Sequence, residues 1–513
     1  MVWSGQDRSG TRLHLEWAVL VPLALGVVLA MGTSADPGAP AAAETVLTVL
    51  GLSDYHSHAV PFRSEGRPGQ GGIARAVSFI EKTRAEGPTL VLSGGDMLNG
   101  GVPVWSDEYR CLEWPWLDGL VDGMALGNHD MDYGPEAFEA CRRSVSYPIL
   151  SANLLREDGT PYLEPTGKPY LVLERAGLRI GVFAVAGDDF QRLVARDLLP
   201  PGTHWAPALD AARRMVAALR GDEKADAVIF IGHQRREDDE AMARAVPGID
   251  LVLGTHSHHK GDLTTIPGTT TRYVAPYQYL ACLSRVRLVF HGRSLDRIEG
   301  GLVAMDESQP EDPEIAGRVA ELQAALVKQR PERFQPVGRL PAELSDAGIS
   351  EGPAPIGSWA AEACRRAAAV QVFFSTASSF RASLPPGPVT LEDFYAAFPY
   401  PNRIVSVELT GRQLQDWLDL SVSRRASDGF SQASGVTYAV RDGRAVDVRV
   451  LRDPRRPEGG DAPLDPGASY SVGTTDFQAY VADGYKELFA AGSHPRKTGL
   501  DVYATLLAAL ARP

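Results

Sequence analysis

Apolar residues in this chain come in short blocks. From Thr45 to about Ala304 the runs "TVLTVLGLS", "TLVLSGG", "RIGVFAVAG", "AVIFIGH" and "DLVLGTH" alternate with Ala- and Arg-rich stretches of helical character. Blocks this short, rich in Val, Ile and Leu and closed by glycine, read as strands buried on both faces. Strands alternating with helices predict an α/β layer architecture with helices covering both faces. Pro and acid break the pattern at "DESQPEDPE". After the break, "IAGRVAELQAALVKQ" has helical periodicity and is expected to bridge two bodies. Beyond it, "NRIVSVELTGRQLQDWLDLS" reads as strand, Gly turn and helix, and "GVTYAVRDGRAVDVRVL" as a hairpin turning at Asp442-Gly443. The expected division is a first α/β domain over 44–305, a helical linker over 306–340 and a second, smaller α/β domain over 341–513.

Bulk composition agrees with two domains: 513 residues exceed what one core usually supports, and 44% hydrophobic with 22% charged residues is globular. A net charge of −13 argues against duplex nucleic acid as a partner, since such a binder must neutralise phosphates. A small anion screened by bound cations stays compatible with it. Arg8 and Arg12 precede the apolar stretch Trp17 to Met31, and small residues follow, which reads as a signal peptide over 1–43 cleaved after Ala43. The predicted location is therefore exported: periplasmic, secreted or cell-surface. The alternative is an uncleaved anchor, but the run is short of the roughly 20 residues a spanning helix needs. Membrane contact is expected only through that segment. Cys111 and Cys141 are close enough in sequence to pair or to remain buried thiols, while Cys282 and Cys364 are expected to be unpaired.

The candidate chemistry lies where the strands end. His56, His129, His233, His256 and His258 each sit at or just beyond the carboxyl end of an apolar run, joined by Asp54 and Asp96. Carboxyl ends of strands in an open α/β sheet share one edge, where ligand crevices form. Singly, each of these residues reads as a turn or capping residue; jointly, they read as a metal site. Alternation along an extended strand end is expected to aim Asp54 with His56, and His256 with His258, the same way. Asp54, His56, Asp96, Asn128, His233, His256 and His258 are too many for one four-coordinate ion, but suit two ions sharing a carboxylate. Mixed imidazole, carboxylate and amide donors suit Zn, Mn or Fe better than Ca. His58 is left outside this set because its direction depends on the turn at Ser57.

In this order, "SDYHSH", "GGDMLNG", "GNHDMD", "IGHQ" and "GTHSHH" resemble the motifs of the calcineurin-like metallophosphoesterases. The segments "FRASLPPGPVTLEDFYAAFPYPNRIVSVELTG", "GFSQASGVTY" and "DFQAYVADGY" resemble the substrate-binding domain of exported 5′-nucleotidases. The resemblance implies a β-sandwich flanked by helices, joined to a smaller substrate-binding domain. It implies one metal held by Asp54, His56, Asp96 and His258, and a second by Asp96, Asn128, His233 and His256, with Asp96 bridging. It leaves His129 free to handle a proton, oriented by Asp132, and Asp130 in a structural role. It further places Phe430 and Phe477 on either side of a nucleobase, Asp483 near the ribose or base edge and Arg381 at the phosphate side. Asn402 is expected to stabilise a turn.

The chain departs from the family pattern at "TASSFR", where Thr376, Ser378 and Ser379 replace an Asn and glycines, and a second family arginine has no counterpart near "SEGPAPIG". The implied activity is phosphate release from small nucleotides, with 5′-nucleotidase first. Alternatives are a 2′,3′-cyclic-nucleotide phosphodiesterase/3′-nucleotidase, a nucleotide-sugar or dinucleotide pyrophosphohydrolase, a sulfur-ester hydrolase, and a nucleotide- or metal-binding surface protein without turnover.

Overall fold

The computed structural model of the protein describes residues 44–164, 166–455 and 459–512. The expected signal peptide or anchor over 1–43 lies outside the described residues, among which no helix is long and apolar enough to cross a membrane. Two sheets form the first body. One runs in the order Thr203–Trp205, Ile149–Arg156, Gly123–Ala125, Thr89–Ser93, Glu44–Leu52, Cys282–His291 and Ser294–Ala304, with Pro161–Leu163 beside Ile149–Arg156. The other runs Lys260–Thr265, Arg272–Pro276, Leu251–Gly254, Ala227–His233, Leu178–Ala186 and Leu171–Arg175. In each, the four consecutive strands nearest the site pair parallel, so their carboxyl ends share an edge.

Residue alternation decides how these sheets are covered. Leu47 and Val49 of the first sheet join Ile229, Ile231, Leu251 and Leu253 of the second in one core. Their neighbours Leu50 and Leu52 point the other way, into a core shared with the helix Ile73–Glu86. On the second sheet Val228 and Phe230 pack with the helix Ala208–Gly221. The expectation of helices on both faces of a sheet is therefore corrected: each sheet has helices on one face and the other sheet on its second. A continuous apolar run records that both faces are dry, but does not say whether a helix or a sheet dries them. The architecture is the sandwich that the family resemblance implied.

The helix Pro313–Gln329, capped by Asp312 accepting from Ile315 N at 2.8 Å, buries Ile315, Val319 and Leu326 in the same core as Ile73–Glu86. The segment expected as a bridge thus packs on the first body. A five-stranded sheet then orders Ser431–Ser434, Val372–Thr376, Ser469–Thr475, Arg403–Thr410 and Ser493–Asp501, with apolar cores on both sides. No Gly turn separates Arg403–Thr410 from the following helix Gly411–Ser423. Thr410 caps it directly with Gln413 in a capping box, and the glycine is there because a Cβ would strike the Asp465 carbonyl. The hairpin at Asp442-Gly443 is present, with φ of 50° and 73° at its two central residues, as a tight primed turn requires. Cys111 and Cys141 are disulfide-bonded; Cys282 and Cys364 are free and buried.

Candidate active site

Every histidine and carboxylate picked out at the strand ends reaches one edge of the sandwich. The ligating atoms fall into three overlapping groups: Asp54, His56 and His258; His56, Asp96 and His129; Asp96, His233 and His256. Extended alternation is not what aims them. Asp54, His56, Asp96, His256 and His258 all have positive φ, between 47° and 64°, so the chain has left the strand and turned sharply before each donor. His256 and His258 accordingly serve different groups. Side chains other than glycine adopt this conformation only where the surroundings impose it. Here Asp54 N donates to Gly95 O at 3.0 Å, His56 N to Asp96 O at 2.9 Å and Tyr279 N to Asp54 O at 2.7 Å. Buried Asp130 holds the same loops together by accepting from Met97 N and Gly127 N at 2.8 Å and from Asp96 N at 3.1 Å. At Gly127 a Cβ would collide with the Asp96 backbone, so only glycine lets these two loops touch.

The lone pairs of this cluster point at one another. His56 Nδ1 donates to Leu98 O at 3.0 Å and His258 Nδ1 to Gln278 Oε1, which leaves their two Nε2 atoms facing each other 3.0 Å apart. His233 Nδ1 donates to Gly94 O at 2.6 Å, and its buried Nε2 approaches Asp96 Oδ2 at 3.3 Å without hydrogen-bond alignment. Asn128 Oδ1 is buried with no partner among the described residues. Burial raises the Asp54 carboxyl and drives the His56 and His258 imidazoles well below their ordinary range, towards the neutral form that ligates metal. Asp96 Oδ2 lies 3.3 Å from His233 Nε2 and 3.8 Å from His56 Nε2, between the two outer groups. Opposed lone pairs, an orphaned amide oxygen and dry carboxylates are a donor set that a divalent cation satisfies. His58 lies apart, stacked on Tyr279 with ring centroids 3.6 Å apart and bonded to His56 O at 2.8 Å.

His129 differs from the others. Its Nδ1 meets Asp132 Oδ2 at 2.8 Å and its backbone N donates to Asp96 Oδ1 at 2.8 Å. Burial alone would lower this imidazole, but Asp132 and Asp96 outweigh it and carry it up to about 10. It stands beside the ligand cluster as a cation with Nε2 free to donate, its ring centroid 5.0 Å from that of His56. Asp132 is fixed in turn by accepting from Gly100 N at 2.8 Å.

A cavity of about 300 Å³ opens over the cluster, bordered by Asp96, Asn128, His129, His256 and His258 from the first body and by Arg381, Asn402, Phe477 and Asp483 from the second. Arg381 donates to Ser378 O at 2.9 Å, Tyr400 Oη at 3.1 Å and Gln278 Oε1 at 3.3 Å, one residue removed from His258. Thr376, Ser378 and Ser379 also border the cavity, with Thr376 Oγ1 2.7 Å from Ser378 Oγ. Asn402 bonds through its backbone to Tyr400 and Val502 and also borders the cavity.

One substrate-side expectation needs correction. Phe430 is 3% exposed and does not border the cavity; Gly429 does, because the chain turns the Phe430 ring inward and passes straight into the strand Ser431–Ser434. Only Phe477 of the expected aromatic pair faces the cavity. Asp483 borders the cavity, with its carboxylate paired to Lys486, to Arg235 Nη1 at 3.0 Å and to Arg192 Nη2 at 3.4 Å. Sequence reasoning missed Asp189, Gln278 and Arg235. Asp189 had a usable signal, since it follows the apolar run "RIGVFAVAG" at the same edge; Gln278, in "APYQYL", had none.

The chain matches the family model of the calcineurin-like phosphoesterases over residues 47–260 and that of the 5′-nucleotidase C-terminal domain over residues 336–490. It is 24% identical to protein UshA of Escherichia coli over 501 residues, covering 86% of either chain. Its fold is similar to that of a 5′-nucleotidase precursor from Thermus thermophilus, with a TM-score of 0.69, 24% identity and coverage of 91% and 96%. It is also similar to that of the sulfate thiohydrolase SoxB from Thermus thermophilus, with a TM-score of 0.66, 21% identity and coverage of 91% and 95%.

Proposed function

Because the chain belongs to the family that joins a calcineurin-like phosphoesterase domain to a 5′-nucleotidase C-terminal domain, we propose that it is an exported dinuclear-metal phosphohydrolase releasing phosphate from nucleotides, 5′-nucleotidase first. The single observation that carries this reading is the convergence of three donor groups, linked through His56 and Asp96, on the floor of a cavity walled by both bodies. Asp54, His56, Asp96 and His258 would hold one ion, and Asp96, Asn128, His233 and His256 the other, with Zn, Mn or Fe the metals suited to such donors. When bound, two such ions supply a water ionised near neutral pH and a clamp for the phosphoryl oxygens.

The chain's own residues do the rest. His129, held as a cation by Asp132, directs Nε2–H at the reacting phosphate, where it stabilises developing charge or protonates the departing ribose oxygen. Arg381, pinned by three hydrogen bonds, offers a fixed positive charge on the phosphate side. Phe477 offers one face for a base. The hydroxyls of Thr376, Ser378 and Ser379 favour a second reading in which the ester is larger or other than a simple nucleoside monophosphate, such as a nucleotide sugar or a sulfur ester. A substrate panel decides between them. Phosphate release from nucleoside 5′-monophosphates, abolished by chelator and restored by Mn or Zn, is the expected result. Turnover of only 2′,3′-cyclic nucleotides or sulfur esters would contradict the first reading, and tight nucleotide binding without hydrolysis under any metal would contradict catalysis altogether.

A further inference from the structure

The imidazoles of the donor cluster are oriented from behind, through Nδ1, and His258 differs from the others in what it rests on. His56 and His233 place Nδ1 against the backbone carbonyls of Leu98 and Gly94. A carbonyl can only accept, so these rings carry their proton on Nδ1 and turn a bare Nε2 to the cluster. His258 instead places Nδ1 against the side-chain amide of Gln278, a group that could present either its oxygen or its NH2. Arg381 decides between them. Its Nη1 lies 3.3 Å from the same Gln278 atom that meets His258, and because a guanidinium can only donate, that atom is Oε1. Gln278 Nε2 then donates to Arg381 O at 3.4 Å. The amide is buried, and the loop that carries it is held tightly: Tyr277, Tyr279 and Leu280 have φ of 72°, 56° and 57°, and Tyr279 N donates to Asp54 O at 2.7 Å. So many non-glycine residues in the left-handed region around one side chain mark a conformation that the surroundings impose.

Resting on the dinuclear reading above, the geometry points to Gln278 as a positioning residue that couples the two bodies. Its single oxygen sets the tautomer of His258 in the first body and anchors Arg381 of the second. It acts through these partners and takes no part in the proton transfers. Loss of that oxygen frees the His258 ring to turn, or to carry its proton on Nε2, which weakens the ion held with Asp54 and His56 and spares the one on the His233 and His256 side. The same loss removes one of the side-chain bonds that fix Arg381, so an incoming anion must order the guanidinium itself. A carboxylate in the same place, Gln278→Glu, accepts from both partners. It makes His258 a stronger donor to a cation but offsets part of the Arg381 charge, and so moves metal and anion affinity in opposite directions.

Calorimetric titration of the metal-free chain with Mn, and of the Mn-saturated chain with inorganic phosphate, tests this on the wild-type protein, Gln278→Ala and Gln278→Glu. Gln278→Ala is expected to lose about ten- to a hundredfold in affinity for one of its two ions, with the other little changed. At saturating Mn it binds phosphate about two- to tenfold more weakly, the cost of ordering one long side chain. Gln278→Glu keeps or gains Mn affinity while its phosphate affinity falls, a divergence that a merely structural glutamine does not produce, since a loosened fold weakens both. Ions bound as tightly in Gln278→Ala as in the wild type, equal weakening of both ions, or phosphate affinity unchanged in both variants overturns the assignment. So does Gln278→Glu losing Mn and phosphate affinity together, and that variant decides alone if Gln278→Ala does not fold. A wild-type chain that binds no Mn defeats the dinuclear reading itself, whereas two ions bound alike in all three proteins defeats only this inference.

Discussion

Two phenylalanines show how a residue's role depends on which way it is turned. Phe477 borders the cavity, while Phe430 lies in the interior with 3% of its surface exposed. Stacking a base on an aromatic face contributes about 1–3 kcal/mol. Removing a buried phenylalanine ring costs about 3–5 kcal/mol of folding stability through lost burial and the cavity left behind. Phe477→Ala is therefore expected to raise KM for nucleotides by about ten- to a hundredfold with little change in melting temperature. Phe430→Ala is expected to lower the melting temperature by several degrees and leave KM nearly unchanged. Steady-state kinetics and thermal unfolding of both variants check this; equal effects on KM would restore the aromatic pair. Phe430 lies in the loop before the strand Ser431–Ser434 and Phe477 in the short helix Asp476–Tyr480, and neither setting carries a periodic pattern in the sequence that tells which way the ring turns.

At the scale of elements, the loop after the first strand is held from behind as well as from the front. Tyr55, between Asp54 and His56, is fully buried, and its hydroxyl faces Glu113, which also faces the Trp105 indole. Glu113 is 0% exposed, neither carboxylate oxygen makes a well-formed hydrogen bond, and burial pushes its carboxyl up to about 7. Such a group binds its proton more tightly folded than unfolded. Its contribution to stability is thus complete below about pH 4.5 and is lost as pH rises through 7. Glu113→Gln, permanently uncharged, is expected to unfold at the same temperature as the wild-type protein near pH 4.5. It gains on the wild type as pH rises, by on the order of 3 kcal/mol above pH 8. Melting curves across that range test the sign: a gap that shrinks with rising pH would contradict it. Nothing in the pattern of "CLEWPW" distinguishes this glutamate from a solvated loop residue. The strands and the histidines at their ends were legible because burial and chemistry both leave periodic or positional marks. The left-handed turns that aim Asp54, His56, Asp96, His256 and His258 leave no comparable mark in non-glycine residues, and so strand alternation picks out residues that do converge, but for the wrong geometric reason.

For the whole molecule, the apolar blocks forecast buried strands without telling that a second sheet, not a layer of helices, would close the inner face. That distinction matters, since the sandwich brings the edge carrying Asp54, Asp96 and Asn128 against the edge carrying His233, His256 and His258. Residues separated by about two hundred positions in the chain then share one floor, and the second body adds the lid of the cavity with Arg381 and Phe477. Central to the proposed activity is that this floor holds two divalent ions through Asp96, while His129 handles protons without holding metal. Metal content per chain, measured by elemental analysis on purified Asp96→Asn and His129→Asn proteins alongside turnover, tests it most directly. Asp96→Asn is expected to lose metal and activity together, whereas His129→Asn keeps close to two ions per chain while turnover falls by about 10²–10⁴-fold. Equal loss of metal in both variants, or full metal content in Asp96→Asn, would contradict it.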